Sequence, residues 1–352
     1  MSGQIVTETV SPKETDTRLD RWLKRRLMVT QGQIEKLLRT GQVRVDGSRA
    51  KANSRVMAGM EVRYPAFDGQ TAPSRPKGSK AEARSAEDAA YLRDLILYED
   101  EDMFAINKPA GMAVQGGTNQ GRHIDGMLPS LGDEEHRPVL VHRLDKDTSG
   151  VLLIARHPAA AARLGELFRS RDMDKVYWAV TVGVPNPPYG QIRCWMAKGV
   201  PDEREESGWR VVNPRQRGQR RDADRERMIR SAQGVEGAKH SITDYAVIST
   251  AAQRAAWVAL KPSTGRMHQL RFHMLEMETS ILGDFKYENR REKPHGLAPG
   301  LHLHARALII PKPRGGKPIT IQAPIPPHMK ETFDTLGFLE REAGKDPLEM
   351  FV

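Results

Sequence analysis

The sequence contains one cysteine, few aromatic residues and no long apolar run. Because Cys194 is the single cysteine among 352 residues, a disulfide framework and a cysteine-based zinc finger are excluded. This usage fits a reducing compartment, so we expect a cytoplasmic protein. No apolar stretch approaches the roughly 20 residues that span a bilayer, and the polar N-terminus, which carries acids, does not have the pattern of a signal or transit peptide. We therefore expect no membrane partner.

Several motifs that mark common enzyme classes are also missing. The sequence has no phosphate-binding P-loop, dinucleotide fingerprint or nucleophile elbow. The letters HRLD at 142–145 resemble a kinase catalytic loop, but an extra residue separates Arg143 from Asp145 and no Asp-Phe-Gly follows. His302 and His304 could share one face of a strand, yet no carboxylate stands at ligand spacing beside them. Hydrogen-bonded or RNA-facing histidines are favoured, and we expect no metal and no cofactor.

Positive charge is present and is concentrated near the N-terminus. The chain carries 55 Lys and Arg against 45 Asp and Glu, a net charge of +10. Residues 17–64 hold twelve basic and four acidic residues, a net +8 in that segment. Such a balance favours a polyanionic partner such as nucleic acid, and a solvated basic domain without a partner is the alternative.

The basic segment has a regular apolar pattern. The positions at helical spacing are Leu19, Trp22, Leu23, Leu27, Ile34, Leu37 and Leu38. Gly41 is placed to end the second helix, and Asp46-Gly47 predicts a hairpin turn between short strands. The basic residues that lie outside this apolar face are candidates for phosphate contacts: Arg21, Arg25, Arg26, Lys36, Arg39 and Arg44.

The remaining chain predicts an α+β domain with a mixed, largely antiparallel sheet and flanking helices. Helices are expected over 157–171 and from Gly265 to about Met277. An arginine-rich stretch at 201–240 interrupts the strand pattern and is expected to be a mobile insertion, either a solvated loop or a nucleic-acid contact. The predicted divisions are a disordered N-terminus at 1–16, the basic module at 17–65, a flexible linker at 66–90, the large domain at 91–340 and a C-terminal tail at 341–352.

Asp145 is the strongest candidate for chemistry. It ends a strand between Arg143 and Lys146 and precedes a polar turn that closes at Gly150. A salt bridge to a neighbouring cation is the plainer interpretation. A carboxylate close to guanidinium groups is ionised at neutral pH, which suits a nucleophile or a base rather than a general acid.

Ordered sequence blocks resemble known RNA-modifying proteins. The segments RLDRWL, IEKLLRTGQVRVDG and GMEVRY resemble the S4 RNA-binding domain, although Met60 replaces a common acid. Six later blocks resemble pseudouridine synthases of the large-subunit ribosomal RNA type, in particular their C-type members, although Met267 replaces a usual threonine. Those blocks are NKPAGMAVQGG, HRLDKDTSGVLLIAR, KVYWAVTVG, LKPSTGRMHQLRFHM, ILGDFKY and LHLHARALIIPKP.

The resemblance implies an isomerase of the pseudouridine synthase fold, preceded by an S4-like domain. It assigns the essential carboxylate to Asp145, base contact to Tyr177, and pairing with Asp145 to Arg266. It gives Leu270 a place beside the base, and Arg143 the space left by an extruded nucleotide. Further expected substrate contacts are His142, His268 and Arg271.

The expected partner is 23S ribosomal RNA, free or in an assembling subunit, and we expect a monomer. A transfer-RNA substrate, an inactive RNA-binding or ribosome-assembly factor, and a metal-dependent nucleotide hydrolase using His302 and His304 remain as alternatives.

Overall fold

The computed structural model describes residues 5–27, 31–66, 79–116, 122–132, 137–201, 209–211, 227–289, 291–311 and 316–351. The chain forms two compact units, Met1–Glu82 and Ala83–Val352, and each has its own apolar core. Among the helices in these ranges, none is both long and apolar enough to cross a membrane.

The small unit packs two helices against short strands, as its apolar pattern predicts. Trp22 and Ile34 are fully buried in its core, and the Asp46-Gly47 turn has positive φ at both residues, as a tight hairpin requires. Its strands pair in the order β1-β6-β3-β4, with β2 and β5 as a separate pair. The elements are β1 (Ile5–Thr9), β2 (Thr17–Arg18), α1 (Leu19–Arg26), α2 (Gln31–Arg39), β3 (Arg44–Val45), β4 (Ser48–Arg49), β5 (Arg55–Val56) and β6 (Glu61–Pro65).

The N-terminal segment is ordered from residue 5, so the expectation of disorder over 1–16 is wrong there. Strand β1 pairs antiparallel with β6. Arg26 ties this segment to α1, because its guanidinium lies 2.7 Å from a Glu8 carboxylate oxygen and 2.9 Å from one of Glu14. The same guanidinium stacks 3.6 Å over the Trp22 ring.

Arg26 is therefore occupied inside the small unit and does not match its predicted role as a free phosphate contact. Its position on α1 turns it toward Trp22 and the acids of the N-terminal segment. The other five predicted cations do lie exposed on the surface of this unit: Arg21, Arg25, Lys36, Arg39 and Arg44.

Two further boundaries differ from the sequence-based expectation. The predicted linker is helical from Ser79, because α3 spans Ser79–Asp94, and its alanine-rich sequence has high helix propensity. The predicted tail contains 3₁₀ turns at Glu340–Ala343 and Glu349–Phe351 that pack on the core around Trp257. Residues 67–78 of the predicted linker lie outside the described residues.

Within the described residues, the large unit is built on one twelve-stranded sheet, in agreement with the predicted α+β class. Strands β13-β12-β15-β16-β11-β17-β10-β8-β7 follow in that order, while β14, β18 and β9 pair with β12, β17 and β10. Strands β10 and β17 pair in parallel, and the other pairs are antiparallel. The strands are β7 (Ile96–Glu99), β8 (Met103–Lys108), β9 (Val139–Leu140), β10 (Ser149–Ala155), β11 (Asp174–Val182), β12 (Tyr189–Pro201), β13 (Trp209–Val211), β14 (Arg227–Ser231), β15 (Lys239–Ala251), β16 (Ala255–Pro262), β17 (Leu303–Ile310) and β18 (Ile319–Gln322).

Helices lie beside this sheet at α4 (Ile124–Met127), α5 (Pro158–Ser170), α6 (Gln269–Glu276) and α7 (Pro327–Leu336). The arginine-rich stretch at 201–240 is not wholly a loop, because β13 and β14 both pair with β12 inside it. Met228 is the buried residue of β14 and fixes which face of that strand points inward. Residues 202–208 and 212–226 of this stretch lie outside the described residues.

Candidate active site

The loop that carries Asp145 is fixed by a buried lysine. It connects β9 to β10, and the fully buried ammonium of Lys108 donates hydrogen bonds to the carbonyl oxygens of Pro109, Met112 and Lys146 at 2.8, 2.9 and 2.9 Å. Burial lowers the pKa of the Lys108 ammonium to about 8, while two nearby carboxylates act in the opposite direction. One cation thus holds both the NKPAG loop and the backbone beside Asp145.

The loop ends where β10 meets β17. Gly150 has a φ of +107°, and a Cβ there would lie 2.2 Å from the carbonyl oxygen of Ala305, so only glycine fits. The Ser149 hydroxyl bonds to Nδ1 of His304 at 2.9 Å. These contacts fix where the strand begins and therefore where the preceding turn places Asp145.

A cleft of about 290 Å³ opens beside this loop. It brings together seven of the residues predicted from the sequence: Arg143, Asp145, Tyr177, Arg266, His268, Leu270 and Arg271. Such a concave site, with apolar walls and a few convergent polar groups, is the usual form of a small-molecule or nucleotide site.

Asp145 is faced by two cationic or donor side chains from the α6 region. Its Oδ2 atom lies 3.9 Å from Nε2 of His268 and 3.9 Å from Nη1 of Arg271, and its side chain is 26% exposed. Arg266 does not make the predicted pair with Asp145. Among the described residues, the arginine within 4 Å of the Asp145 carboxylate is Arg271. Helix α6 begins at Gln269, so Arg266 lies before it and donates instead to the carbonyl of His240 at 3.2 Å.

Arg271 is itself held by a buried ion pair. Its Nε and Nη2 atoms donate to the two carboxylate oxygens of Asp284 at 2.6 and 2.7 Å, and both side chains are almost fully buried. Burial opposes the charge, but the hydrogen bonds to Asp284 and the nearby carboxylates outweigh it and raise the pKa of Arg271. The guanidinium is thus a fixed positive charge at the cleft.

Tyr177 lines the cleft from β11. The strand has a bulge between Val176 and Tyr177, a device that redirects a side chain beside active sites. Burial raises the pKa of the Tyr177 phenol, and the Asp145 carboxylate raises it further, so the hydroxyl is protonated at neutral pH. Leu270 contributes an apolar surface to the same wall.

His142 does not line the cleft, contrary to its predicted role as a substrate contact. Its Nε2 accepts a hydrogen bond from the Leu153 amide at 2.9 Å, and its ring stacks on Phe168 with centroids 4.5 Å apart. Burial and the charge of Lys175 lower its pKa to about 3. It is a neutral packing residue.

His302 and His304 are also occupied within the core. His302 bonds to the Gly300 carbonyl and the Thr332 hydroxyl, and His304 bonds to Ser149 and to the Ala323 carbonyl. Both ring nitrogens of each histidine therefore have partners. Among the residues that the structure describes, no three His, Cys, Asp or Glu side chains group as metal ligands.

Four further residues support the site and were not singled out from the sequence. These residues are Lys108, Gln269, Asp284 and Tyr287. The side-chain amide of Gln269 donates hydrogen bonds to the Ile242 carbonyl and the Thr243 hydroxyl, and so joins the start of α6 to β15. The sequence signal was present, because all four residues lie in blocks that carry the resemblance. Their burial and partners come from contacts that spacing does not reveal.

The cleft combines a carboxylate, a fixed guanidinium and a protonated phenol with an apolar wall. A carboxylate beside the anomeric carbon is the usual tool for breaking a glycosidic bond. In the described part of the cleft, an ionisable carboxylate therefore stands next to an apolar wall that includes Leu270.

Comparisons with known proteins agree with this geometry. A family model described as RNA pseudouridylate synthase matches residues 102–276, and an S4 domain model matches residues 17–62. The chain is 32% identical to ribosomal large subunit pseudouridine synthase C of Rickettsia bellii, covering 88% of this chain and 95% of that protein. It is 33% identical to the protein of the same name from Escherichia coli strain K12, covering 94% and 98%.

Among solved structures, human RNA pseudouridylate synthase domain containing 4 is similar, with a TM-score of 0.56 and 30% identity. That likeness covers 73% of this chain and 98% of the human chain. Together with the cleft around Asp145, these matches place the chain in the RNA pseudouridylate synthase family.

Proposed function

We propose that this protein converts uridine to pseudouridine in 23S ribosomal RNA. The observation that carries the proposal is the cleft in which the Asp145 carboxylate stands beside Tyr177 and is faced by Arg271 and His268. Large-subunit specificity is supported by the names of the two bacterial relatives.

The proposed reaction breaks the bond between uracil N1 and ribose C1′, rotates the base and joins C5 to C1′. A proton leaves C5 and N1 is protonated, so no atom is lost and nothing is oxidised. Asp145 either attacks C1′ or removes the C2′ proton, and both routes need an ionised carboxylate. Tyr177 stacks on or hydrogen-bonds to the uracil, and Leu270 packs beside it.

The target base must first leave its stack, at a cost of roughly a few kcal/mol. Arg143 is exposed at the cleft and is our candidate for filling the vacated space. The five exposed cations of the small unit would contact phosphates and increase the local concentration of the catalytic unit at its RNA. We propose that the protein acts as a monomer in the cytoplasm.

An Asp145→Asn variant tests the catalytic assignment. We expect it to fold and to bind RNA but to form no pseudouridine, because an amide can neither attack C1′ nor remove a proton. Asp147→Asn is the matched control, since it makes the same change two residues away on the same loop, and should stay active. Substantial product from Asp145→Asn would contradict the assignment.

Mapping pseudouridine in the RNA of a strain that lacks this gene tests the substrate. We expect sites to disappear from 23S ribosomal RNA and to return with the wild-type gene but not with Asp145→Asn. Loss confined to transfer RNA would favour the transfer-RNA alternative. No loss in any RNA would favour an inactive RNA-binding factor.

A further inference from the structure

A series of polar contacts runs from β14 through Tyr287 and His268 toward Asp145. The backbone amide of Met228 in β14 donates to the Tyr287 hydroxyl at 2.7 Å, and that hydroxyl lies 3.0 Å from Nδ1 of His268. The other ring nitrogen of His268, Nε2, lies 3.9 Å from Asp145 Oδ2. Tyr287 itself has no exposed surface.

The direction of these hydrogen bonds follows from the groups involved. The Met228 amide can only donate, so the Tyr287 oxygen accepts from it. The hydroxyl proton is then free to be donated, and Nδ1 of His268 is the acceptor within reach. Since Nδ1 accepts, the proton of a neutral His268 is on Nε2, which faces Asp145.

Two other observations agree with this tautomer. Burial is the main cause that lowers the pKa of His268, to about 4, so the ring is neutral at physiological pH. With the opposite tautomer, a nitrogen lone pair would face the Asp145 carboxylate, and the buried Tyr287 proton would lose its acceptor. Both penalties are avoided when Nε2 carries the proton.

His268 and Arg271 approach the same oxygen of Asp145. Nε2 of His268 and Nη1 of Arg271 are each 3.9 Å from Oδ2, longer than a hydrogen bond, and catalytic contacts often tighten only when substrate binds. Because His268 and Arg271 both face Oδ2 of Asp145, neither of them donates to Oδ1. The ring of Tyr287 also lies 5.3 Å from the Arg271 guanidinium and so borders both donors.

We propose that Tyr287 is a positioning residue whose hydroxyl holds His268 as the Nε2–H tautomer, so that His268 and Arg271 orient Asp145 through Oδ2 and present Oδ1 to the nucleotide. The proposal rests on the proposed function for its kinetic consequence. The tautomer itself is a property of the free protein.

Tyr287→Phe removes the hydroxyl and retains the aromatic ring against Arg271. We expect kcat for pseudouridine formation to fall about tenfold, the equivalent of one hydrogen bond, with KM for the RNA within about twofold of wild type. Tyr245→Phe is the matched control, because it removes a buried hydroxyl that donates to the Pro187 carbonyl at 3.0 Å, and should retain kcat.

Nitrogen NMR of histidine-labelled protein reads the tautomer directly. In the wild type we expect Nδ1 of His268 to resonate as an unprotonated nitrogen and Nε2 as a protonated one, with the signals assigned by their loss in His268→Gln. In Tyr287→Phe the two signals should move toward a mixture of tautomers. An unchanged tautomer in Tyr287→Phe would overturn the proposal even if activity fell.

A double variant separates positioning from packing. Glutamine at residue 268 places an amide donor near the site of Nε2 and does not need Tyr287 to set a tautomer. In the His268→Gln background, Tyr287→Phe should therefore cost less than about threefold in kcat. An equal loss in both backgrounds would show a packing role only. If the wild type formed no pseudouridine at all, the proposed function would fail, while the NMR result would still decide the tautomer.

Discussion

At the scale of single residues, the site depends on buried charges whose partners are far apart in the sequence. Asp284 holds Arg271 from 13 residues away, and Lys108 supports the backbone of Lys146 from 38 residues away. The resemblance assigns roles to Asp145, Tyr177 and Leu270, and all three line the cleft. It pairs Asp145 with Arg266, whereas the described arginine within 4 Å of Asp145 is Arg271. Arg271 lies in the first turn of α6 and His268 is the residue just before that helix, with a φ of +51°, whereas Arg266 lies two residues earlier.

Replacement of Lys108 should weaken both the fold and the reaction. Lys108→Met would leave three carbonyl groups without their donor, and we expect the free energy of unfolding to fall by about 3 kcal/mol. The Asp145 loop would lose its support, so kcat should fall as well. Denaturant unfolding and the rate of pseudouridine formation measure the two effects.

Lys146→Met is the control, since Lys146 is exposed and neighbours Asp145 directly. It removes a positive charge of the same loop but no buried hydrogen bond, so we expect stability within about 0.5 kcal/mol of wild type. Equal stability of the two variants would show that the buried ammonium does not hold the loop.

At the scale of elements, a strong local pattern of apolar residues predicts the position of the secondary structure. Helix α5 lies within its predicted range of 157–171, because helical apolar spacing defines it. Strand β1 was missed because its partner β6 begins more than 50 residues later, and pairing at that range leaves no local signal. The pattern does not reveal helix α3, because its small and charged residues are also typical of a linker.

The tie between β1 and α1 predicts opposite effects for two neighbouring arginines. Arg26→Ala removes ion pairs to Glu8 and Glu14 and the stacking on Trp22, so we expect the free energy of unfolding of the small unit to fall by about 2 kcal/mol. Arg25→Ala removes an exposed side chain and should leave stability within about 0.5 kcal/mol.

For RNA binding we expect the opposite order, with a larger effect of Arg25→Ala than of Arg26→Ala. If Arg25 contacts a phosphate, Arg25→Ala lowers the slope of log affinity against log salt by about one, whereas folded Arg26→Ala retains it. Binding titrations at several salt concentrations, below the melting temperature of each variant, measure the slope. A larger loss of slope for Arg26→Ala would mean that its ion pairs open to bind RNA.

At the scale of the whole molecule, the two units differ in charge. The net +8 of residues 17–64 lies in the small unit, while the large unit is close to neutral and buries the Arg271–Asp284 ion pair beside Asp145. The amino-acid composition locates the positive charge in the small unit, but it does not show that the large unit buries several neutral histidines. Those include His273, His302 and His304, each with no exposed surface.

These histidines predict that stability falls in mild acid. Burial lowers the pKa of His273, His302 and His304 to about 4 from an ordinary value of 6.5. The unfolded chain therefore binds more protons below pH 6.5, so stability is complete above that pH and is lost as pH falls toward 4. Each histidine contributes a slope of up to about 1.4 kcal/mol per pH unit. Denaturant unfolding between pH 7.5 and about 4.5 measures it.

One histidine can be removed from this pH dependence without losing its hydrogen bond to the Ala323 carbonyl. His304 donates from Nε2 to the Ala323 carbonyl, and a glutamine at that position can make the same donation without titrating. We expect His304→Gln to flatten the loss of stability between pH 6.5 and 4, by up to the slope of one proton. His295→Gln, at a highly exposed histidine, should leave the profile unchanged. If both variants retained the wild-type profile, His304 would have to take up its proton without unfolding, and the acid sensitivity of the large unit would have to come from other groups.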